Sequence, residues 1–177
     1  LWSYSVPDIN ACNAKILKLQ NGNITLLWTD NYRNVKLQTF DQNGTPLCNS
    51  NSVFIYELAT KDICIDYAVS GNDIIIASLK ISFFIEVTKV NAFGYKICSN
   101  LIPGADCEVY QHRPKILLNE DGSFHLFWLT SMRTNIYSLC TVKVNSNCMS
   151  YSYPQEISEI YNEHDYLMPH LYNFDNK

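Results

Sequence analysis

The chain has 177 residues, a formal net charge of −4 and no lysine or arginine cluster, which argues against a nucleic-acid backbone as partner. Aromatic residues make up 13% and charged residues only 17%, a balance that suits pleated, half-buried strands. No apolar run approaches the roughly 18 residues that a membrane helix needs, so no membrane span is expected.

Residues 1–5 (Leu-Trp-Ser-Tyr-Ser) read as a strand with no partner before it, and residues 6–13 as a loop carrying Cys12. The chain opens on Leu1 and shows no signal-peptide pattern, so a processed polypeptide is expected. A first repeat covers residues 14–54, with strands near 15–20, 24–29, 34–40 and 46–48. Asn21-Gly22 between apolar runs predicts a two-residue type I′ turn, which needs positive φ at both central positions. Asn43-Gly44 marks the next turn.

A polar linker leads to a second repeat over residues 63–104, with strands near 63–69, 73–79, 83–90 and 95–98. Gly71-Asn72 and Phe93-Gly94 take its turns. Residues 22–28 recur as 122–128, and residues 35–48 recur as 85–98. On that pattern Ala77 takes the place of the tryptophan, Trp28 or Trp128, of the other repeats. A loop with Pro103, Gly104 and Cys107 precedes a third repeat over residues 113–154, with strands near 114–118, 123–129 and 135–144. Its first turn is Glu120-Asp121-Gly122; its last, Asn145-Ser146-Asn147, reads as shorter than its counterparts. Residues 168–173 echo 113–118, so 165–177 read as the opening of a fourth repeat.

Four-stranded repeats of about 50 residues are the mark of propeller blades. The expected fold is a single all-β domain over residues 1–177, propeller-like, with three repeats and part of a fourth. A ring normally takes about four to eight blades, so the array is expected to be open or completed by a neighbour.

Residues 24–28 (Ile-Thr-Leu-Leu-Trp), followed by residues 37–47 (Leu-Gln-Thr-Phe-Asp-Gln-Asn-Gly-Thr-Pro-Leu), carry a family resemblance. The segment resembles the "VVVW…QxFDxxGxxxG" repeats of large secreted and surface proteins of bacteria and ciliates. The second repeat keeps the hydrophobic skeleton and Gly94, and the third keeps Asp121-Gly122 and Trp128. The resemblance implies an extracellular, propeller-like module for surface architecture or adhesion, and brings no catalytic residues with it.

Seven cysteines without a CxxC pair point to disulfides, hence to an oxidising, extracellular setting. Cys12, Cys64 and Cys107 each precede the first strand of a repeat, while Cys48, Cys98 and Cys148 each close one. Two pairing schemes fit: 12–48, 64–98 and 107–148 within repeats, or 48–64, 98–107 and 140–148 across linkers. Cys140 is the odd thiol in the first, favoured scheme, free or intermolecular. Sequons at Asn23 and Asn43 lie at turns able to carry a glycan.

Trp28 and Trp128 could stack on sugars, but equivalent placement in two repeats favours core packing. His125 alternates with apolar neighbours, and His164 and His170 are spaced for neither a helical nor a strand chelate, so no metal is expected. Asp30, Asp41, Asp66, Glu86 and Glu108 could serve glycoside hydrolysis only as a pair converging at about 5–10 Å. Residues 119–124 miss the sialidase-type Asp-box by one position, and no phosphate loop, calcium loop or nucleophile motif occurs. No cofactor is expected. The sequence thus predicts a non-catalytic extracellular structural or adhesive protein that self-assembles through its terminal strands into filaments. A glycan-binding lectin or glycoside-processing propeller is the rival.

Overall fold

The computed structural model describes residues 3–5, 10–30, 33–48, 52–58, 65–81, 84–103, 111–133 and 136–161. Strands β1 (Ala11–Lys18), β2 (Ile24–Asp30), β3 (Asn34–Phe40) and β4 (Val53–Glu57) form one antiparallel sheet in chain order. A second sheet consists of β5 (Ile65–Ser70), β6 (Asp73–Ile81), β7 (Phe84–Asn91) and β8 (Lys96–Pro103). The third consists of β9 (Gln111–Leu118), β10 (Phe124–Arg133), β11 (Ile136–Val144) and β12 (Gln155–Tyr161). The all-β expectation is met, with three four-stranded antiparallel sheets; the third takes its fourth strand from Gln155–Tyr161, beyond the expected bound at residue 154 and outside every expected strand.

The sheets stack face to face, and strand alternation explains how. Successive side chains leave a strand on opposite sides. In the middle sheet Ile74, Ile76 and Val90 pack with Leu27, Val35, Leu37 and Tyr56 of the first. The intervening Ile75, Ala77, Ile85 and Val87 pack with Phe124, Leu126, Trp128 and Val142 of the third. A strand covered on both faces needs an apolar side chain at nearly every position, which is why β6 reads as a continuous apolar run.

First strands lie beside first strands, β1 against β5 and β5 against β9. The Asp66 carboxylate on β5 accepts the Ile116 N–H of β9 at 3.0 Å and meets Lys115 Nζ at 3.3 Å. The tips of two hairpins join as well: the Gln20 N–H donates to the Gly71 carbonyl (3.0 Å) and the Asn21 N–H to Asn72 Oδ1 (2.9 Å). Fourth strands therefore form the opposite, outer edge of the stack.

Several expectations are corrected. Asn21-Gly22 is not a two-residue type I′ turn: Gly22 has φ +86° but Asn21 stays at negative φ. Gly22 N–H donates to Leu19 O and Leu19 N–H to Asn23 O, the longer hairpin loop that ends on a left-handed glycine. The fourth strand of the first sheet is Val53–Glu57, not residues 46–48, where Pro46, lacking an N–H, forms only an isolated bridge with Phe40. The third repeat's last turn is not short. Asn145 N–H donates to Met149 O, as Asp41 does to Thr45 O and Asn91 to Tyr95 O. Cys148, at φ +65°, stands where the other two turns have Gly44 and Gly94.

Register also corrects the tryptophan position. Trp28 pairs with Lys36, Ser78 with Glu86 and Trp128 with Cys140, so Ser78, not Ala77, is the counterpart. The space a tryptophan would fill is taken by Tyr56 of the first sheet, whose hydroxyl donates to Ser78 Oγ at 2.9 Å. Burial pushes the Tyr56 phenol far above its ordinary pKa, so it stays a neutral donor. Residues 3–5 join no sheet; Tyr4 instead sets its ring edge-on to Phe40, centroids 4.8 Å apart. The fourth-repeat expectation for 165–177 lies outside the described residues.

Candidate functional site

Apart from Ile16, every large apolar side chain exposed among the described residues belongs to a fourth strand or the segment leading into it. Phe54 stands on the first sheet; Phe93, Tyr95, Ile97 and Leu101 on the second; Met149, Tyr151, Tyr153 and Ile157 on the third. Among the described residues the fourth strands are outer edges, and these side chains lie on that side of the stack, called the belt below. Residues 91–103 and 145–154 contain no aspartate or glutamate, although the whole chain carries 17 acidic residues. Acidic residues border these side chains on the fourth strands themselves, at Glu57 on the first sheet and Glu156 on the third.

Each turn into the belt is built the same way. A carboxylate or amide at its start accepts N–H bonds from residues two and four positions on. Asp41 Oδ1 accepts from Asn43 and Thr45 at 2.8 Å, Asn91 Oδ1 from Phe93 and Tyr95 at 3.0 Å, and Asn145 Oδ1 from Asn147 at 2.9 Å and Met149 at 3.0 Å. Side-chain acceptance of local N–H groups is what makes Asx residues turn formers. The Thr45 backbone N–H, more than any other group, holds the Asp41 carboxyl below the usual carboxylate range.

Where the second and third sheets meet, an open cleft of about 450 Å³ is lined by Pro103, Ser150, Tyr151, Ser152 and Tyr153. Lys143 Nζ lies 5.6 Å from the centroid of the Tyr151 ring. The Tyr151 N–H donates to the Lys143 carbonyl at 3.0 Å, and Val144 bridges Ser150, so this wall is tied to β11. The other wall is tied covalently: Cys98 on β8 is disulfide-bonded to Cys148, with Cα atoms 6.1 Å apart.

That bond belongs to neither expected scheme. It replaces 64–98 and 107–148 of one and 98–107 and 140–148 of the other, because face-to-face stacking brings the closing cysteines of successive repeats together. Cys12 and Cys48 are not bonded to each other: Cys12 Sγ lies 3.1 Å from Thr29 Oγ1, and Cys48 Sγ lies 4.0 Å from the Ala92 carbonyl oxygen. Burial raises the Cys48 thiol's pKa and makes it a poor thiolate. Cys140 is a buried thiol in the second core. Cys64 and Cys107 lie outside the described residues.

The remaining sequence candidates are not brought together. Trp28 and Trp128 are fully buried and offer no sugar platform. Asp30 pairs with Lys36 at 2.6 Å, Asp66 with Lys115, and Glu86 with Lys80 at 2.9 Å, each carboxylate held by its own lysine. His125 is half-buried beside Phe127, ring centroids 6.0 Å apart. His164, His170 and Glu108 lie outside the described residues. Among the described residues no cluster of three or more His, Cys, Asp or Glu side chains could hold a metal ion. Asn43 is exposed at its turn and Asn23 is half-buried at its own. Sequence reasoning passed over Tyr151 and Tyr153, whose signal was a Ser-Tyr-Ser-Tyr alternation directly after a turn. No family model, curated protein or solved structure matches the chain.

Proposed function

We propose that this chain is a non-catalytic extracellular module of propeller-like blades, structural or adhesive in role, and that copies associate through the outer belt. The observation that carries the reading is the belt itself, because the exposed large apolar side chains fall almost entirely on the fourth-strand side of the sheets, and such concentrations mark interaction surfaces. Sheets in chain order with first strands side by side support the blade-like reading. The Cys98–Cys148 bond supports an oxidising compartment, and the exposed Asn43 supports a glycoprotein. Carboxylates each neutralised by a lysine support a non-catalytic role. Association is placed at the belt rather than at the terminal strands, because Tyr4 is spent covering the chain's own first sheet.

Sedimentation velocity over a concentration series tests this. The native chain is expected to shift to larger species as concentration rises, while the triple variant Phe93→Ser, Tyr95→Ser, Met149→Ser stays monomeric. A native chain that remains monomeric throughout, or a variant that still associates, contradicts the proposal.

A further inference from the structure

We infer that the cleft between the end of β8 and residues 150–153 is a binding site for a neutral saccharide. The inference rests on the adhesive reading above, to which it adds a ligand class.

A volume of about 450 Å³ falls within the roughly 300–1,000 Å³ of small-ligand sites, room for a short oligosaccharide rather than a macromolecular face. Its chemistry is mixed in the way a sugar requires. A pyranose offers an apolar C–H face and a rim of hydroxyls that both donate and accept. Tyr151 and Tyr153 are 64% and 86% exposed, so ring faces are open for the first. The hydroxyls of Ser150 and Ser152 and the two phenols, each able to donate and accept, serve the second. None of the five lining residues carries a charge, and the cation beside them, Lys143 at the Tyr151 ring, is paired with Asp121 at 3.6 Å, which favours a neutral ligand over an acidic or basic one.

The site is also preorganised. Lys143 sits over the Tyr151 ring within cation–π range and restrains it. The Cys98–Cys148 bond couples the β8 wall to the segment that carries the tyrosines. A tyrosine held as Tyr151 is gives large contact area at little entropic cost on binding. A proline-rich peptide, the other ligand of tyrosine-lined grooves, needs aromatic ridges spaced along an extended groove. Here both aromatic side chains come from one four-residue segment.

The test is titration of the full chain with cellotriose, chitotriose, mannotriose and laminaritriose, followed by tyrosine fluorescence. At least one is expected to bind saturably. Tyr151→Ala and Tyr153→Ala, both surface truncations, are expected to weaken that binding about tenfold or more, the scale of a lost hot-spot side chain. Ile16→Ala, an exposed side chain on β1 outside both the cleft and the belt, should leave it unchanged. Absence of saturable binding by all four probes overturns the inference, as does binding indifferent to both tyrosine variants. Saturation by a decaproline peptide with none by any saccharide overturns it too. If the saccharides fail while native chains still associate through the belt, this inference falls and the proposed function stands.

Discussion

At the scale of single residues, one turn position shows what the stack demands. Gly94 has φ +82°, and a Cβ there would lie 2.7 Å from Val53 Cγ1 and 3.2 Å from Ile55 Cδ1, side chains of the preceding sheet. Gly122 has a similar φ of +77° but nothing within 4 Å of such a Cβ. Both substitutions to alanine carry the left-handed backbone penalty, on the order of 1–2 kcal/mol. Gly94→Ala adds an overpacking penalty of about 1–3 kcal/mol. Thermal unfolding of the two variants should therefore show a clearly larger loss for Gly94→Ala; equal losses would mean the first and second sheets do not meet there. In the third repeat the same position is Cys148, whose side chain meets Cys98 instead of a packed wall. The sequence shows a cysteine in a polar turn, and nothing local signals that it replaces a glycine. The exchange is visible only once register aligns Val144 with Phe40 and Val90.

At the scale of elements, legibility followed burial. Strands β2, β3, β6, β7 and β10 announce themselves because their apolar side chains fill the cores between sheets. The fourth strands did not, since an outer edge is not required to alternate cleanly. The spacer between turn and fourth strand also varies, from Thr45 to Val53 in one sheet and from Tyr95 to Lys96 in the next. The cysteine pairing went wrong because Cys48 and Cys98 are alike in spacing but only Cys98 lies in a strand. The belt was illegible because the sequence does not show which strands end up at the outer edge. The turns differ in one functional respect. At the position of Phe93 in the second repeat, the first presents Asn43, a sequon asparagine with an exposed side chain. A glycan there would shield the first repeat and leave association to the other two. Mass analysis of tryptic glycopeptides from native material is expected to show occupancy at Asn43, and an unmodified Asn43 peptide as the sole species would contradict it.

At the scale of the whole molecule, three sheets of one pattern are held by two apolar cores, by backbone and carboxylate contacts between first strands, and by the Cys98–Cys148 bond near the outer edge. The bond closes a separation of 50 residues, for which the chain-entropy picture gives a stabilisation of about 4 kcal/mol. That would bind the third sheet to the second even where the array is open. It also ties the fold to its setting, because such a bond persists where thiols are not kept reduced. The central claim is that successive repeats stack face to face, so that a cysteine on β8 meets the turn cysteine of the next repeat across sheets instead of within them. Peptide mapping of native protein without reductant tests it most directly. The account predicts a linked peptide pair containing Cys98 and Cys148, with Cys12 and Cys48 not linked to each other; linked pairs 64–98 and 107–148 would contradict it.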